Sequence, residues 1–479
     1  MRVHERWPAL MSLISLENRI HKAFSRLGSE PTNWIPQTPS VDYDVAVIGA
    51  GQSGVAISAG LRKAGIRNTV TLDLSDAEAA GMWESKSYMR TLRTPKSNTG
   101  PELGIPELTY RAWYEAQFGA APYQHLNLID RNSWHRYLRW LRRMLDVVVE
   151  YGARLLSVSG AGKYLDLLVE NAAGRRTLRV RKLVLATGID GSGVPDVPEA
   201  FRRNLSPDRY AHSYSVLDPA KVAAARVAIL GAGSSAFDAA AFALENGAAE
   251  VELFCRQEDL ARSTSLRSTA YPAIEHFHLL PDADRWRIAR MIKARGSVPT
   301  TESIARATAF PNFKIHLGAP WEIIAQTGDE ITAETPIGRF AFDYAISATG
   351  FRIDPVLRPE LAEFAEKVVT WQDRFIPSAD ESSASLGRYP YLGAGYQLST
   401  HDPDSDPYVG NIHCFNAAAL PSCGRHLGDV ASLRHAVPRL IQAIADDLFR
   451  DDYTHHVSRF GAPPPDDLTG DEYRHAVKT

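Results

Sequence analysis

Two glycine-rich turns carry the most direct chemical signal in this sequence. The first lies in VIGAGQSG, residues 47–54, and has the spacing Gly49-x-Gly51-x-x-Gly54. The second lies in ILGAGSSA, residues 229–236, with Gly231-x-Gly233-x-x-Ala236. In such a turn the first glycine allows a tight bend and the second lets backbone amides approach a pyrophosphate. The third position keeps the following helix close to its strand. The helix N-terminus then faces the phosphate charge. Gln52, Ser53, Ser234 and Ser235 stand at the helix starts and belong to these expected cradles. Each turn falls between an apolar strand pattern and a small-residue helix pattern, the context that gives the motif its meaning.

The residue that ends the next strand separates the two ligands. In the first unit TVTLD ends at Asp73, 24 residues after Gly49. A carboxylate there accepts hydrogen bonds from ribose hydroxyls and repels a 2′-phosphate, which points to FAD or NAD. In the second unit the matching position is Cys255, followed by Arg256. A guanidinium suits a 2′-phosphate by charge and by its bidentate geometry, so this turn is expected to hold NADPH. Arg262 and Arg267 could add to that pocket. No metal site is expected. Cys255, Cys414 and Cys423 have neither C-x-x-C nor metal-ligand spacing, and His276 and His278 lack a third ligand nearby. Unpaired cysteines of this kind suit reduced thiols in the cytoplasm.

The elements that must position these groups form a long chain of 479 residues, enough for two or three domains. A net charge of −3 gives no electrostatic reason to expect nucleic acid or an anionic membrane. No apolar run approaches the roughly 20 residues that span a bilayer. Ala9, Leu13, Leu16, Ile20, Phe24 and Leu27 recur at helical spacing, which predicts an amphipathic helix over 9–27. The proline-containing stretch 28–40 follows as a linker, so this helix is expected to pack on another domain or join a second copy in a homo-oligomer. A further helix is predicted over 131–147, and strands in VVVEYGARLLSVS, KYLDLLVE, RTLRVR and KLVLATG. After the second glycine unit, strands are expected around 314–317, 321–327 and 339–349, the last ending in SATGF as an echo of LATGI.

From about Asp42 to about residue 445 the chain resembles the flavin-containing monooxygenase superfamily, with its N-hydroxylating, Baeyer–Villiger and YUCCA-like members. The resemblance rests on GAGQSG, the GMW of Gly81–Trp83, LATG, the AHS of Ala211–Ser213, GAGSSA and ATGF. It implies an α/β fold of two Rossmann-like dinucleotide-binding domains, the FAD domain being interrupted by the NADPH domain. The expected division is 1–41 helix and linker, 42–210 FAD domain, 211–345 NADPH domain, 346–445 FAD domain resumed and 446–479 tail. Gly81, Met82 and Trp83 would lie near the flavin and His212 in the linker to the second unit. The implied activity is transfer of one oxygen atom from O2, through a flavin hydroperoxide, to a nitrogen, sulfur or carbonyl of a small-molecule substrate.

The linker motif is only partly kept, because Ser206 and Asp208 stand where the family has an aromatic residue and a glycine. Segment 88–100 occupies the place of a flavin-side asparagine, for which Thr94 or Asn98 could substitute. Arg90 and Arg93 would face the flavin or an anionic substrate group, or else form ordinary salt bridges. Gly428 and Asp429 would approach the FAD ribityl chain. Two alternatives share both turns. A disulfide reductase needs a redox cysteine pair, and Cys414 and Cys423 have the wrong spacing. An NADPH oxidase or electron-transfer reductase would lack only the oxygen insertion.

Overall fold

The computed structural model describes residues 3–28, 30–84, 88–263, 272–463 and 465–478. The run YDVAVI forms the strand Tyr43–Ile48, buried from Asp44 onward. Such an unbroken buried run suits a parallel strand covered on both faces. It pairs in parallel with Thr69–Asp73 on one side and Gly174–Leu185 on the other. The sheet runs Glu150–Tyr151, Thr69–Asp73, Tyr43–Ile48, Gly174–Leu185, Tyr164–Asn171 and Arg154–Ala161, and Ile412–His413 also pairs with Gly174–Leu185. A late segment thus returns to a sheet begun near the N-terminus.

RTLRVR and KLVLATG, expected as separate strands, belong to the single strand Gly174–Leu185. Its first half pairs antiparallel with Tyr164–Asn171 and its second half parallel with Tyr43–Ile48. The arginines that interrupt the apolar pattern are neutralised from outside the segment. Arg179 meets Asp166 across the sheet at 2.7 Å, and buried Arg181 meets Asp44 at 3.5 Å and Asp452 at 2.8 Å. Conversely, VVVEYGARLLSVS divides into Glu150–Tyr151 and Arg154–Ala161, because Gly152 takes a left-handed conformation with φ +65°.

The second sheet is wholly parallel, in the order Tyr210–His212, Tyr344–Ser347, Arg226–Leu230, Glu250–Phe254, Phe313–His316. Beside it, Ile323–Thr327, Glu330–Thr335 and Gly338–Phe342 form an antiparallel sheet. The strand expected over 339–349 is two strands in different sheets. Asp343 breaks it, held by Arg226 at 2.7 Å. The architecture is α/β with two Rossmann-like units, one inserted into the other.

The N-terminal helix extends over Val3–Leu27. Leu16 and Ile20 are buried in a cluster with Trp113, Tyr137 and Trp140. Glu17 accepts from Trp140 Nε1 at 3.0 Å and pairs with Arg143 at 2.7 Å. The apolar face expected to seek another domain or subunit is therefore buried on helices Tyr110–Phe118 and Arg131–Met144 of the same chain. Among the described residues, no helix is long and apolar enough to cross a membrane.

Candidate functional site: two dinucleotide cradles

Both glycine turns are seated on the two ATG turns. Gly49 has φ +102°, and a Cβ added to it would lie 2.5 Å from Ala186 O. Gly231 has φ +125°, and its added Cβ would lie 2.5 Å from Ala348 O. Each first glycine is thus required twice over, by its backbone angle and by the neighbouring strand end. Gly54 is required for contact with its own turn, since an added Cβ would meet Gly49 O at 1.7 Å. Its counterpart Ala236 is buried in the core of the second unit.

Gly51 is different. A Cβ there would meet nothing nearer than Gly81 Cα at 3.8 Å, so the space it would fill is the open cradle. Gly51 and Gly233 cap helices Gln52–Lys63 and Ser234–Glu245 in extended conformations, and neither cap supplies a side-chain acceptor. No side-chain cap therefore competes with a pyrophosphate for the first-turn amides. This geometry fits a dinucleotide at each turn.

Asp73 lies beside the first cradle. Its Oδ2 accepts from Ala50 N at 2.6 Å and its Oδ1 from Ser75 N at 2.8 Å. A carboxylate oxygen accepts more than one bond, so the fixed carboxylate can still receive ribose hydroxyls. Gly49 N donates to Leu72 O, and Gly231 N donates to Phe254 O. The residues that follow, Asp73 and Cys255, are therefore structural equivalents. Cys255 is buried, whereas Arg256 is exposed. No hydrogen bond or ion pair holds Arg256 among the described residues.

Gln52 joins three segments that are distant in sequence. Its Nε2 donates to Gly428 O at 2.5 Å, and its Oε1 accepts from Trp134 Nε1 at 3.0 Å. Gly428 also approaches Ser53, whose Oγ would lie 3.3 Å from an added Cβ. Gly81 flanks the same turn, and half-buried Trp83 after it packs against the aromatic cluster, with half-buried Met82 between them. Asp429 stands beside it but is occupied as the N-cap of Val430–Asp451 and as partner of Arg425 at 2.7 Å.

Other expected groups lie elsewhere. Arg90 pairs with Glu245 at 2.7 Å and Arg93 with Asp238 at 3.0 Å. Both carboxylates belong to the second-unit helix, so these arginines are salt-bridged to it rather than directed at the first cradle. His212 is buried behind the second ATG turn. Its Nδ1 accepts from Tyr214 N at 3.2 Å, and burial lowers its pKa, which favours the neutral ring. Ser235 is exposed. Arg262 pairs with Asp259 at 3.0 Å, and Arg267 lies outside the described residues. The second cradle has a wall that the sequence did not signal. Ser234 Oγ donates to Val298 O at 2.8 Å, and Ser297 O lies 3.5 Å from the position of a Cβ on Gly233. The small residues of this loop carry no motif of their own.

The three cysteines are free and buried. Burial pushes the thiols of Cys414 and Cys423 up to about 12, which keeps them protonated and unreactive. A variant with all three changed to alanine should therefore keep NADPH-driven flavin reduction within several-fold of the parent in stopped-flow absorbance. Loss of reduction in a folded, flavin-loaded variant would restore the disulfide-reductase alternative.

Two dinucleotide cradles of this kind define an FAD- and NAD(P)-binding oxidoreductase. Residues 46–190 match the FAD-NAD(P)-binding family, and residues 120–306 match the L-lysine 6-monooxygenase/L-ornithine 5-monooxygenase family. The chain is 38% identical over 449 residues to an FAD-dependent urate hydroxylase from Xanthomonas campestris pv. campestris, covering 92% of this chain and 94% of that protein. It belongs to that family of FAD-dependent hydroxylases, and is a flavoprotein monooxygenase. Among solved structures it resembles the ornithine hydroxylase of Pseudomonas aeruginosa, with a TM-score of 0.64, 18% identity and coverage of 85% of this chain and 99% of that one. The ornithine N-hydroxylase of Kutzneria sp. 744 also scores 0.64, at 16% identity, with the same coverage of 85% and 99%. These two likenesses concern the fold.

Proposed function

We propose that this protein uses NADPH and FAD to insert one atom of O2 into urate or a closely related electron-rich, planar heterocycle. The observation that carries the substrate choice is the 38% identity over almost the whole chain to a urate hydroxylase. The ornithine enzymes share the fold at 16–18% identity. When bound, FAD reduced by NADPH supplies the activation of O2, and the protein supplies binding, orientation and exclusion of water.

The chain's own residues divide that work. The amides of Gly49–Ser53 hold the FAD pyrophosphate, and Asp73 holds the adenosine ribose. Gly81–Trp83 and Gly428 wall the cradle. Gly231–Ser235 hold the coenzyme pyrophosphate, with Arg256 on the 2′-phosphate. On this reading residues 42–210 and 346–445 serve FAD, and 211–345 serve NADPH.

The test is NADPH consumption by FAD-loaded enzyme with urate, L-ornithine, L-lysine, a sulfide or a ketone. Urate alone should accelerate it, with about one urate lost per NADPH and little hydrogen peroxide formed. Acceleration by an amino acid with a hydroxylamine product would transfer the activity to amine N-hydroxylation. One peroxide per NADPH, unchanged by every compound, would make the protein an NADPH oxidase.

A further inference from the structure

Beside the first glycine turn stands a polar wall that none of the motifs explains. On the first-cradle side stands His426, two residues before the Gly428 carbonyl held by Gln52. Its Nδ1 lies 2.9 Å from Ala417 O. A carbonyl only accepts, so Nδ1 carries the proton and Nε2 is left as an acceptor. The neighbouring Asn416 bridges to Gly188 of the first ATG turn, which fixes this wall to the end of the first sheet. In open α/β sheets ligands bind outside the carboxyl ends of the strands, where this wall stands. The His426 side chain reaches solvent, yet protein surrounds it closely enough for desolvation to lower its pKa.

The charged groups facing His426 are Asp429, Lys293 and Arg425. Asp429 and Arg425 neutralise each other at 2.7 Å. Lys293 lies in the last turn of helix Asp282–Arg295. The same chain reaches Ser297, against the second glycine turn, four residues later. Lys293 Nζ donates to Ser385 Oγ at 2.7 Å and lies 5.7 Å from the centre of the Tyr389 ring. Asp196 acts on it at longer range. Among the described residues no carboxylate forms a salt bridge with it. Like His426, it reaches solvent while desolvation lowers its pKa. An unneutralised cation beside a neutral imidazole is a pair suited to a weakly acidic ligand.

We infer that His426 and Lys293 form the substrate wall of the oxygenation site, with Lys293 binding the anionic edge of a planar heterocycle and His426 Nε2 accepting a ring N–H proton during hydroxylation. This rests on the urate reading above. In the step, ring π electrons form a bond from carbon to one oxygen atom, which stays as hydroxyl, while the O–O bond breaks and the other atom leaves as water. NADPH supplies the two electrons as hydride. The three hydrogens of the hydroxyl and the water are that hydride, one solvent proton and the proton passed on by Nε2. The neutral imidazole is the working form. Hydroxylation should fall as pH drops through the lowered pKa of His426, below the usual histidine range.

The experiment uses FAD-loaded His426→Gln, Lys293→Met and Lys293→Arg. His426→Gln should bind urate like the parent in equilibrium dialysis against oxidised enzyme. It should reduce urate hydroxylation about a hundredfold, divert NADPH to hydrogen peroxide and remove the acidic limb of the kcat/KM profile. Lys293→Met should weaken urate binding about tenfold or more, and Lys293→Arg should restore most of it. Flavin reduction by NADPH, near the parent's rate, shows that each variant is folded. Unchanged coupling and pH profile in His426→Gln, or unchanged urate binding in Lys293→Met, would overturn the inference alone. A parent enzyme that neither binds nor hydroxylates urate would overturn the urate reading with it.

Discussion

Gly51→Val should give a folded protein that holds no FAD. Gly51 has φ −68° and ψ −172°, a conformation open to any residue, and its missing Cβ points at nothing nearer than 3.8 Å. A Cβ therefore strains neither the backbone nor a neighbour, and valine's poorer capping of helix Gln52–Lys63 should cost the unliganded fold only about 1 kcal/mol. The valine side chain instead occupies the space through which backbone amides reach the pyrophosphate. The yellow colour should be lost on purification, and monooxygenase activity should not return with added FAD. The apparent stability gained from bound cofactor should vanish with it, about 4 kcal/mol where free FAD stands a thousandfold above its Kd. Gly54→Ala is the contrasting control. Its Cβ would press on Gly49 O at 1.7 Å, so the helix must shift. Overpacking of this kind costs about 1–3 kcal/mol and should appear in denaturation of the FAD-free protein. Retention of FAD by Gly51→Val would remove the first turn from the cofactor site.

The contrast between these two glycines marks what the sequence could convey. The spacing Gly49-x-Gly51-x-x-Gly54 is local, and local geometry follows from it: a bend, an approach and a close helix. Asp73 is legible for the same reason, because only one helix and one strand separate it from the turn. The two ATG turns were legible as a pair, but not as the floors beneath Gly49 and Gly231, since that contact joins strands far apart in the chain. Arginines interrupt the apolar pattern of Gly174–Leu185, so its sequence reads as two strands. Their neutralising carboxylates, Asp166, Asp44 and Asp452, come from elsewhere. His426 and Lys293 carry no signal in the sequence, because neither belongs to a periodic pattern or motif. Only the folding of the late segment onto the first sheet, and of helix Asp282–Arg295 beside the second turn, brings them together. Arg90 and Arg93 show the converse. Position after GMW suggested a flavin-facing role, but Glu245 and Asp238 on the second-unit helix hold them.

Arg256→Ala should reduce kcat/KM for NADPH by roughly ten- to a hundredfold and leave NADH nearly unaffected. The range corresponds to a charge-assisted contact of about 1.5–3 kcal/mol. Cys255 and Asp73 are equivalent in structure as well as in spacing. Gly49 N bonds to Leu72 O and Gly231 N to Phe254 O, so Cys255 occupies the place where the first unit has its ribose-binding carboxylate. A thiol at that position neither repels a 2′-phosphate nor accepts strongly from a 2′-hydroxyl. Arg256, exposed and without an ion-pair partner among the described residues, supplies the attraction. The preference should weaken with added salt, as an exposed charge pair does. Cys255→Asp combined with Arg256→Ala rebuilds the arrangement of the first unit. It should move the preference further towards NADH, by repelling the phosphate and accepting from both ribose hydroxyls. Steady-state kinetics with both coenzymes on the FAD-loaded variants decides the matter. Equal losses for NADPH and NADH in Arg256→Ala would show that Arg256 supports the local fold, and the 2′-phosphate would then need another partner.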